Sequence, residues 1–156
     1  MYLHFKEEPV DLEQMKKTAH RFHIDVIQKQ QLDVAYEIMA PDAIVRTPLR
    51  PPNDTKRGPE VLLDMARGDA IAFPDGLFFD HDEGIAERDM VAIRFDAYGF
   101  SSGPLGTIPP ANKEIRFSGV DIYRFNEEGK IAEAWVTYDV LGILKQVGAE
   151  VKLPGS

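Results

Sequence analysis

The sequence predicts an α+β fold in which helices pack on the concave face of a curved, mixed or antiparallel sheet. Three segments with helical periodicity come first, and one short strand lies among them. Four consecutive strands and a short helix follow. Helices that precede a run of neighbouring strands are typical of a layered α+β domain. A curved sheet covered by helices encloses a cavity, where small-molecule sites tend to be found.

The composition is that of a single soluble domain over residues 1–156, with a loose arm at 1–10 and a tail at 149–156. The net charge of −8 argues against nucleic acid or an anionic membrane as a partner. The absence of cysteine excludes thiolate metal sites, cysteine nucleophiles and disulfides. Neither a signal-peptide pattern nor an apolar window of membrane-span length is present, so we expect a cytoplasmic protein.

The first helix is predicted to begin after Asp11, a suitable N-cap, because apolar residues recur from Leu12 to Val26 at three- and four-residue steps. His20 and His23 lie beside this apolar stripe. Their spacing permits a metal pair, but no third ligand at metal-binding spacing completes it. We therefore interpret them as histidines on the helix surface or half-buried, and we predict no metal.

A second helix is predicted over 30–40, ended by Pro41, and a short strand over 43–47. A proline-rich loop follows. The third helix is predicted to open at Pro59, since proline in the first helical turn loses no needed donor.

The predicted sheet contains strands over 77–86 and 90–100, a loop rich in glycine and proline over 101–110, and two strands within 112–138. The loop does not match a phosphate-binding fingerprint. In the third of these strands Ile115, Phe117, Asp121, Tyr123 and Phe125 share one face. In the fourth, Ala134 and Val136 face away from Trp135. The last helix follows Asp139 and is predicted to stop at Gly148.

Several segments, taken in order, resemble one family. They are Leu32-Asp33 with Met39-Ala40-Pro41-Asp42, Pro74-Asp75, Gly106-Thr107-Ile108-Pro109-Pro110, Gly119-Val120-Asp121-Ile122-Tyr123-Arg124, Gly129-Lys130-Ile131-Ala132-Glu133-Ala134-Trp135, and Leu141-Gly142 with Gln146-Val147-Gly148. On these residues the chain is similar to the SnoaL-like polyketide cyclases of the nuclear transport factor two-like superfamily. The resemblance implies a cone-shaped fold, a concave pocket for a small molecule and a homodimer.

The resemblance also implies ring closure by intramolecular aldol condensation without a cofactor. In well-known members a carboxylate directly follows the strand tryptophan and a histidine precedes it. Here those positions are Val136 and Ala134. The histidine that often precedes the first-strand proline is replaced by Arg46, in Arg46-Thr47-Pro48.

Asp121 is the first candidate for a catalytic base, because an aldol closure needs a group that removes a proton next to a carbonyl. It lies mid-strand on the face of Phe117 and Tyr123, where burial disfavours the charged form. The structural alternative is a carboxylate paired with Arg94 or Arg116 within the sheet.

Asp139 and His81 are further catalytic candidates. Asp139 has the alternative role of N-cap for the last helix. His81 stands between Asp80 and Asp82, an acidic setting that favours its protonated form. It is either a pocket acid or a solvated histidine at a strand edge.

The predicted substrate-binding residues include the side chain of Arg46, which either binds a carbonyl at the pocket rim or forms a surface ion pair. Trp135 is interpreted as a packing or dimer contact. The remaining binding candidates are Tyr98, Phe117, Tyr123, Val136 and Tyr138.

The resulting functional hypothesis is a cyclase or isomerase acting by acid–base chemistry on an apolar, carbonyl-bearing substrate. The alternative is a non-catalytic binding or dimeric interaction protein of the same fold. An epoxide hydrolase or ketosteroid isomerase relative would also share the fold.

Overall fold

The computed structural model describes residues 11–155. The helices are α1 (Leu12–Arg21), continued by a π-helical segment (Phe22–Gln28), α2 (Val34–Ile38), α3 (Pro59–Ala72) and α4 (Val140–Gln146). The strands are β1 (Met39–Arg46), β2 (Leu77–His81), β3 (Ile85–Glu87), β4 (Met90–Phe100), β5 (Glu114–Phe125) and β6 (Ile131–Tyr138). The predicted arm at 1–10 lies outside the described residues. The tail, described from 149 to 155, forms neither helix nor strand.

The strands form one curved, unclosed sheet in the order β1-β6-β5-β4-β2, with β3 paired to β4. The pairs from β2 to β6 are antiparallel, and β1 runs parallel to β6. The predicted α+β architecture, with helices on one side of a curved mixed sheet, is confirmed. None of the helices within the described residues has the length and hydropathy to span a membrane.

The helical layer forms because the first apolar stripe faces the sheet. Asp11 caps α1 by accepting a hydrogen bond from the Gln14 amide at 3.0 Å, as predicted. Ala19, Phe22 and Val26 are fully buried. Beyond Arg21 the helix widens, and the Lys29 amide bonds to the Ile24 carbonyl five residues back. Such π-helical turns are frequent at functional sites.

The second predicted helix is wrong in extent. It is limited to Val34–Ile38, and the chain enters β1 at Met39, so that Pro41 lies inside a strand rather than after a helix. The pairing with β6 is irregular between Met39 and Ile44. A proline lacks the donor of a regular ladder, and an edge strand with a bulge tolerates that loss.

The predicted strand over 77–86 is also wrong, because it is divided into β2 and β3. His81 pairs with Phe95 and Ile85 pairs with Ala92. Between these two pairs the β2–β3 side has three residues (82–84), whereas β4 has only two (93 and 94). Gly84, at φ +89°, adopts the left-handed conformation that the extra residue requires. This bulge ends β2 at His81, beside α1.

Candidate active site

A cavity of about 540 Å³ lies between the concave face of the sheet and the helices. The π-helical segment and α3 form one side, β2, β4, β5 and β6 form the floor, and α4 with the loop around Leu105–Ile108 covers the opening. Its walls are mainly apolar, with Phe79, Phe95 and Phe117 on the floor and Ile143 on α4. The size and lining suit a small, largely apolar molecule.

Asp69 is an acidic residue in this apolar wall. It lies on the third turn of α3, on the same helix face as buried Leu62 and Ala66. Burial raises the pKa of its carboxyl from the ordinary value of 3.8 to about 7. Near neutral pH this group therefore exists in both protonation states, which is the condition that a general base or acid needs.

Tyr138 belongs to the same cavity, at the end of β6. Burial raises the pKa of its phenol, a hydrogen bond with the Thr47 side chain lowers it, and the charges of Asp69 and Asp121 raise it. The net shift is upward, so the hydroxyl keeps its proton at neutral pH and is able to donate a hydrogen bond to a ligand.

Asp121 lies mid-strand in β5 and is fully buried. Its Oδ2 accepts the Tyr123 hydroxyl at 2.9 Å and lies 3.1 Å from His23 Nε2, and its Oδ1 accepts the Thr137 amide at 3.1 Å. Arg94 and Arg116, the partners expected for a structural carboxylate, bind Asp82, Asp96 and Glu114 on the solvent side instead. The predicted arginine pairing of Asp121 is therefore wrong, because both arginines point to the other face of the sheet.

His23 joins Asp121 to the cavity, since its ring is buried yet lines the cavity wall. The ring stacks on Phe79 with 4.3 Å between ring centroids and meets Phe95 edge-on at 4.7 Å. Its Nδ1 lies 2.9 Å from His81 Nε2. The expectation of a surface or half-buried His23 is wrong, because the π-helical turn directs it to the sheet.

His81 is half-buried and faces two other histidines. Besides its contact with His23, its Nδ1 lies 2.8 Å from His20 Nδ1. Burial, and then the charges of His23 and His20, lower the pKa of His81 to about 3. The predicted protonated state of His81 is therefore wrong, because the neighbouring Asp82 is bound to Arg94 on the outer face and gives it no charge partner.

Asp139 caps α4, as its structural alternative predicted. Its Oδ1 accepts the Gly142 amide at 2.8 Å. The main cavity is lined by its neighbours Tyr138 and Val140, whereas Asp139 lies in a shallower depression with Ser118 and Thr137.

The six predicted binding residues divide into two groups. Phe117, Val136 and Tyr138 line the cavity. Arg46, Tyr98 and Tyr123 do not belong to its wall. Tyr123 is buried beneath it against Asp121.

The side chains of Arg46 and Tyr98 lie on the outer face of the sheet. Arg46 binds Glu133 at 2.9 Å and stacks over Trp135 at 5.3 Å, which is the surface ion pair weighed as its alternative. Tyr98 stacks on Phe78 and lies 5.1 Å from the Arg116 guanidinium.

The sequence did not predict that Asp69 and His23 belong to the site. The sequence carried a signal for Asp69, a charged residue on the apolar stripe of α3. His23 also lies next to an apolar stripe, but its partners come from β2 and β5, and helical periodicity carries no information about them.

Among residues 11–155, no group of three or more histidine, aspartate or glutamate side chains is arranged to hold a metal ion.

Comparison with known proteins gives a consistent result. Residues 17–147 match the family model of the SnoaL-like polyketide cyclases. IdmH from Streptomyces antibioticus, a proposed polyketide cyclase, is 25% identical, with a TM-score of 0.71 over 87% of this chain and 99% of its own. No curated protein matches the sequence.

Two further solved structures share the fold at lower identity. TsrD from Streptomyces laurentii is 21% identical, with a TM-score of 0.77 over 90% of this chain and 99% of its own. AclR from Streptomyces galilaeus, a proposed hydroxylase, is 20% identical, with a TM-score of 0.73 over 92% and 87%. The fold thus accompanies more than one assigned chemistry, and function has to be argued from the site.

Proposed function

Because the chain belongs to the SnoaL-like polyketide cyclase family, whose model matches residues 17–147, we propose that it cyclises or isomerises a small carbonyl compound by acid–base chemistry. The substrate is largely apolar and binds in the cavity between sheet and helices. The reaction uses side chains alone and requires no cofactor. Asp69 and Tyr138 supply the two polar functions that such a reaction needs.

One observation carries the proposal: a carboxyl group with a pKa of about 7 lies in the wall of a mainly apolar cavity. A carboxylate that is weakly solvated is a stronger base than one in water, and its pKa matches the pH at which it must work. The same cavity holds a tyrosine hydroxyl that stays protonated.

In the proposed aldol closure, the Asp69 carboxylate removes a proton from the carbon next to a substrate carbonyl. The electron pair of that C–H bond moves into an enolate, whose oxygen accepts a hydrogen bond from the Tyr138 hydroxyl. The enolate carbon then forms a bond to a second carbonyl carbon of the same molecule. The resulting alkoxide takes the proton back from Asp69, so the enzyme ends as it began.

The substrate is inferred to be uncharged at the end that enters the cavity. Arg50 also lines the cavity, but its guanidinium is held by Asp54 and by the carbonyls of Val45 and Lys56. An anionic group would therefore meet Asp69 without a free cation from Arg50. Phe79, Phe95 and Phe117 favour a planar or polycyclic apolar body.

Asp121 remains the base predicted from the sequence, and the two assignments lead to different experiments. Its carboxyl is buried beneath the cavity and contacts His23, Tyr123 and Thr137. We assign it the role of orienting His23 rather than of touching substrate. The assignment rests on its burial and on the position of His23 between it and the cavity.

The test is Asp69→Asn, assayed with a panel of linear and partly cyclised aryl poly-β-ketones. We expect kcat to fall about 10²- to 10⁴-fold, the usual contribution of a positioned acid–base group, with little change in KM. In wild type kcat should rise with pH through about 7 and then level, because the base must be ionised. The side-chain amide of the variant cannot ionise, so this limb of the pH profile should vanish.

Asp75→Asn is the matched control, since Asp75 is exposed just after α3 and should leave the rate unchanged. An Asp69→Asn protein that turns over a substrate at the wild-type rate would refute the assignment of the base. If Asp121→Asn alone then abolishes turnover, the base is Asp121 as the sequence predicted. Binding of the same ketones with no turnover by wild type would favour the non-catalytic alternative.

A further inference from the structure

We propose that Asp121, His23, His81 and His20 form a proton relay that connects the buried wall of the cavity to solvent. The relay is a property of the protein alone and goes beyond the proposed function, because it requires no substrate. It assigns a joint role to three histidines that come from three different elements.

The relay is continuous in space. Asp121 Oδ2 lies 3.1 Å from His23 Nε2, His23 Nδ1 lies 2.9 Å from His81 Nε2, and His81 Nδ1 lies 2.8 Å from His20 Nδ1. The outer nitrogen of His20, Nε2, lies 3.2 Å from the carbonyl oxygen of Glu83, an exposed residue. Each imidazole thus uses both nitrogens, and every link is within hydrogen-bonding distance.

The direction of the relay is set at its outer end. A carbonyl oxygen can only accept, so His20 Nε2 carries a proton when it bonds to Glu83, and His20 Nδ1 is then an acceptor. It follows that His81 donates from Nδ1 and accepts at Nε2. His23 then donates from Nδ1, which leaves its Nε2 facing the Asp121 carboxyl.

This inner link needs a proton of its own. Asp121 Oδ1 already accepts the Thr137 amide, and Oδ2 accepts the Tyr123 hydroxyl. Without a proton between them, the lone pair of His23 Nε2 would face a lone pair of Asp121 Oδ2, with 3.1 Å between the two buried atoms. With one proton there, the four groups have no net charge, and every link has one donor and one acceptor.

Removal of one proton leaves a second arrangement with good hydrogen bonds. The proton on His20 Nε2 passes to water, and one proton in each of the three inner links shifts outward by one group. Asp121 is then a carboxylate, His23 and His81 carry their protons on Nε2, and His20 carries its proton on Nδ1. Only the exposed bond to Glu83 is lost, where water can replace it. In total Asp121 has lost one proton and solvent has gained one, while each inner link still holds a proton.

The surroundings of the relay favour the transfer of a proton along it over the retention of a positive charge on one of its rings. His81, the middle group, has its pKa lowered to about 3 by burial and by the neighbouring histidines, so it does not hold a charge. Phe79 and Phe95 pack around His23 and His81. The other titratable groups that face Asp121 are Tyr123 on its own strand and Tyr138 on β6, and the pKa of each is raised.

A structural histidine cluster would behave differently. Its tautomers would be fixed by packing, and each ring would titrate by itself. The relay instead requires that all three rings change tautomer together, since a change at one link forces a change at the next. His23 and His81 go from Nδ1–H to Nε2–H, and His20 goes from Nε2–H to Nδ1–H.

The test is ¹⁵N NMR of the histidine rings in the full chain between pH 5 and pH 9, which identifies the tautomer of each ring. We expect one shared midpoint for His20, His23 and His81, with His81 changing from Nδ1–H to Nε2–H as pH rises. Independent midpoints, or a His23 tautomer that stays fixed while that of His20 changes, would overturn the relay.

His81→Gln provides the matched variant, because an amide keeps one donor and one acceptor but does not pass a proton on. The joint midpoint should be lost, and the ring N–H of His23 should exchange with water more slowly than in wild type. Unchanged exchange would overturn the proposal. Because neither measurement uses a substrate, failure here leaves the proposed activity untouched, and failure of Asp69→Asn leaves the relay untouched.

Discussion

At the scale of the residue, Asp69 couples the proposed chemistry to the stability of the fold. Its carboxyl has a pKa of about 7 in the folded protein and 3.8 as its ordinary value. Between these values the folded chain keeps a proton that the unfolded chain has released. Stability therefore falls as pH rises from about 4 to 7, and the loss is complete above pH 7.

We predict that Asp69→Asn stabilises the protein at pH 8 but has little effect at pH 4. The pKa difference sets an upper limit of about 4 kcal/mol, at 1.36 kcal/mol per pH unit. Because Asp69 keeps some contact with solvent through the cavity, we expect about 1 to 3 kcal/mol. Urea unfolding of both proteins at the two pH values measures it. An equal effect at both pH values would show that the Asp69 carboxyl has the same pKa in the folded and the unfolded protein.

At the scale of the element, the short helix α4 forms part of the cavity wall. Its seven residues cover the cavity through Val140, Ile143 and Leu144. A helix of this length is not stable by itself and depends on packing and capping. The Asp139 carboxyl supplies the cap at the Gly142 amide.

Asp139→Ala should lower the free energy of unfolding by about 1 kcal/mol, the usual value of an N-cap. Urea denaturation measures the loss. Asp139→Asn is the control, because asparagine caps equally well and removes the negative charge. If Asp139→Asn keeps full stability but loses turnover, Asp139 is a catalytic carboxylate, as the sequence also allowed. If it keeps both, the residue is a cap alone.

The π-helical segment is the other element that decides the site. It carries His23, which contacts Asp121 on β5 and His81 on β2, while His20 on the preceding α1 contacts the other ring nitrogen of His81. The bulge at Gly84 ends β2 at the right residue, since it leaves the Glu83 carbonyl beside His20. The π-helical segment and the bulge at Gly84 are therefore both next to the histidine cluster.

At the scale of the whole molecule, the outer face of the sheet carries exposed apolar side chains. On β5, Val120 is 45% exposed and Ile122 37%. Trp135 lies on the same face of neighbouring β6, with Arg46 stacked on its ring. An exposed apolar patch of this kind is typical of protein–protein contact surfaces. The homodimer implied by the family resemblance stays a prediction, and this face is the one we assign to it.

Sedimentation equilibrium should give a mass near twice 17.5 kDa. Val120→Asp should shift it toward one chain, because the charge would be buried without a partner in the interface. Ile71→Asp is the matched control, since Ile71 is an exposed apolar residue on α3, away from the outer face of the sheet. This second variant should keep the mass of two chains. A wild-type mass of one chain would refute the dimer.

Local sequence patterns predicted the secondary structure correctly where the backbone hydrogen bonding is regular. The alternation of β5 predicted the buried face that holds Asp121 and Tyr123, and the caps at Asp11 and Asp139 were recognisable from the chain. The errors lie at β1 and at the β2–β3 bulge. There an irregular ladder tolerates Pro41 and Gly84, and such a pairing depends on a partner strand that is remote in sequence.

The sequence alone determined the fold class, the family and the strand face that Asp121 shares with Phe117, because periodicity and capping are local properties. Only the tertiary structure decided which polar groups meet. It turned Arg46 and Tyr98 outward, placed Asp69 in the cavity wall and joined His20, His23 and His81 in one line. The physical reason is that pKa values and hydrogen-bond partners are set by groups distant along the chain, which come together only when sheet and helices pack.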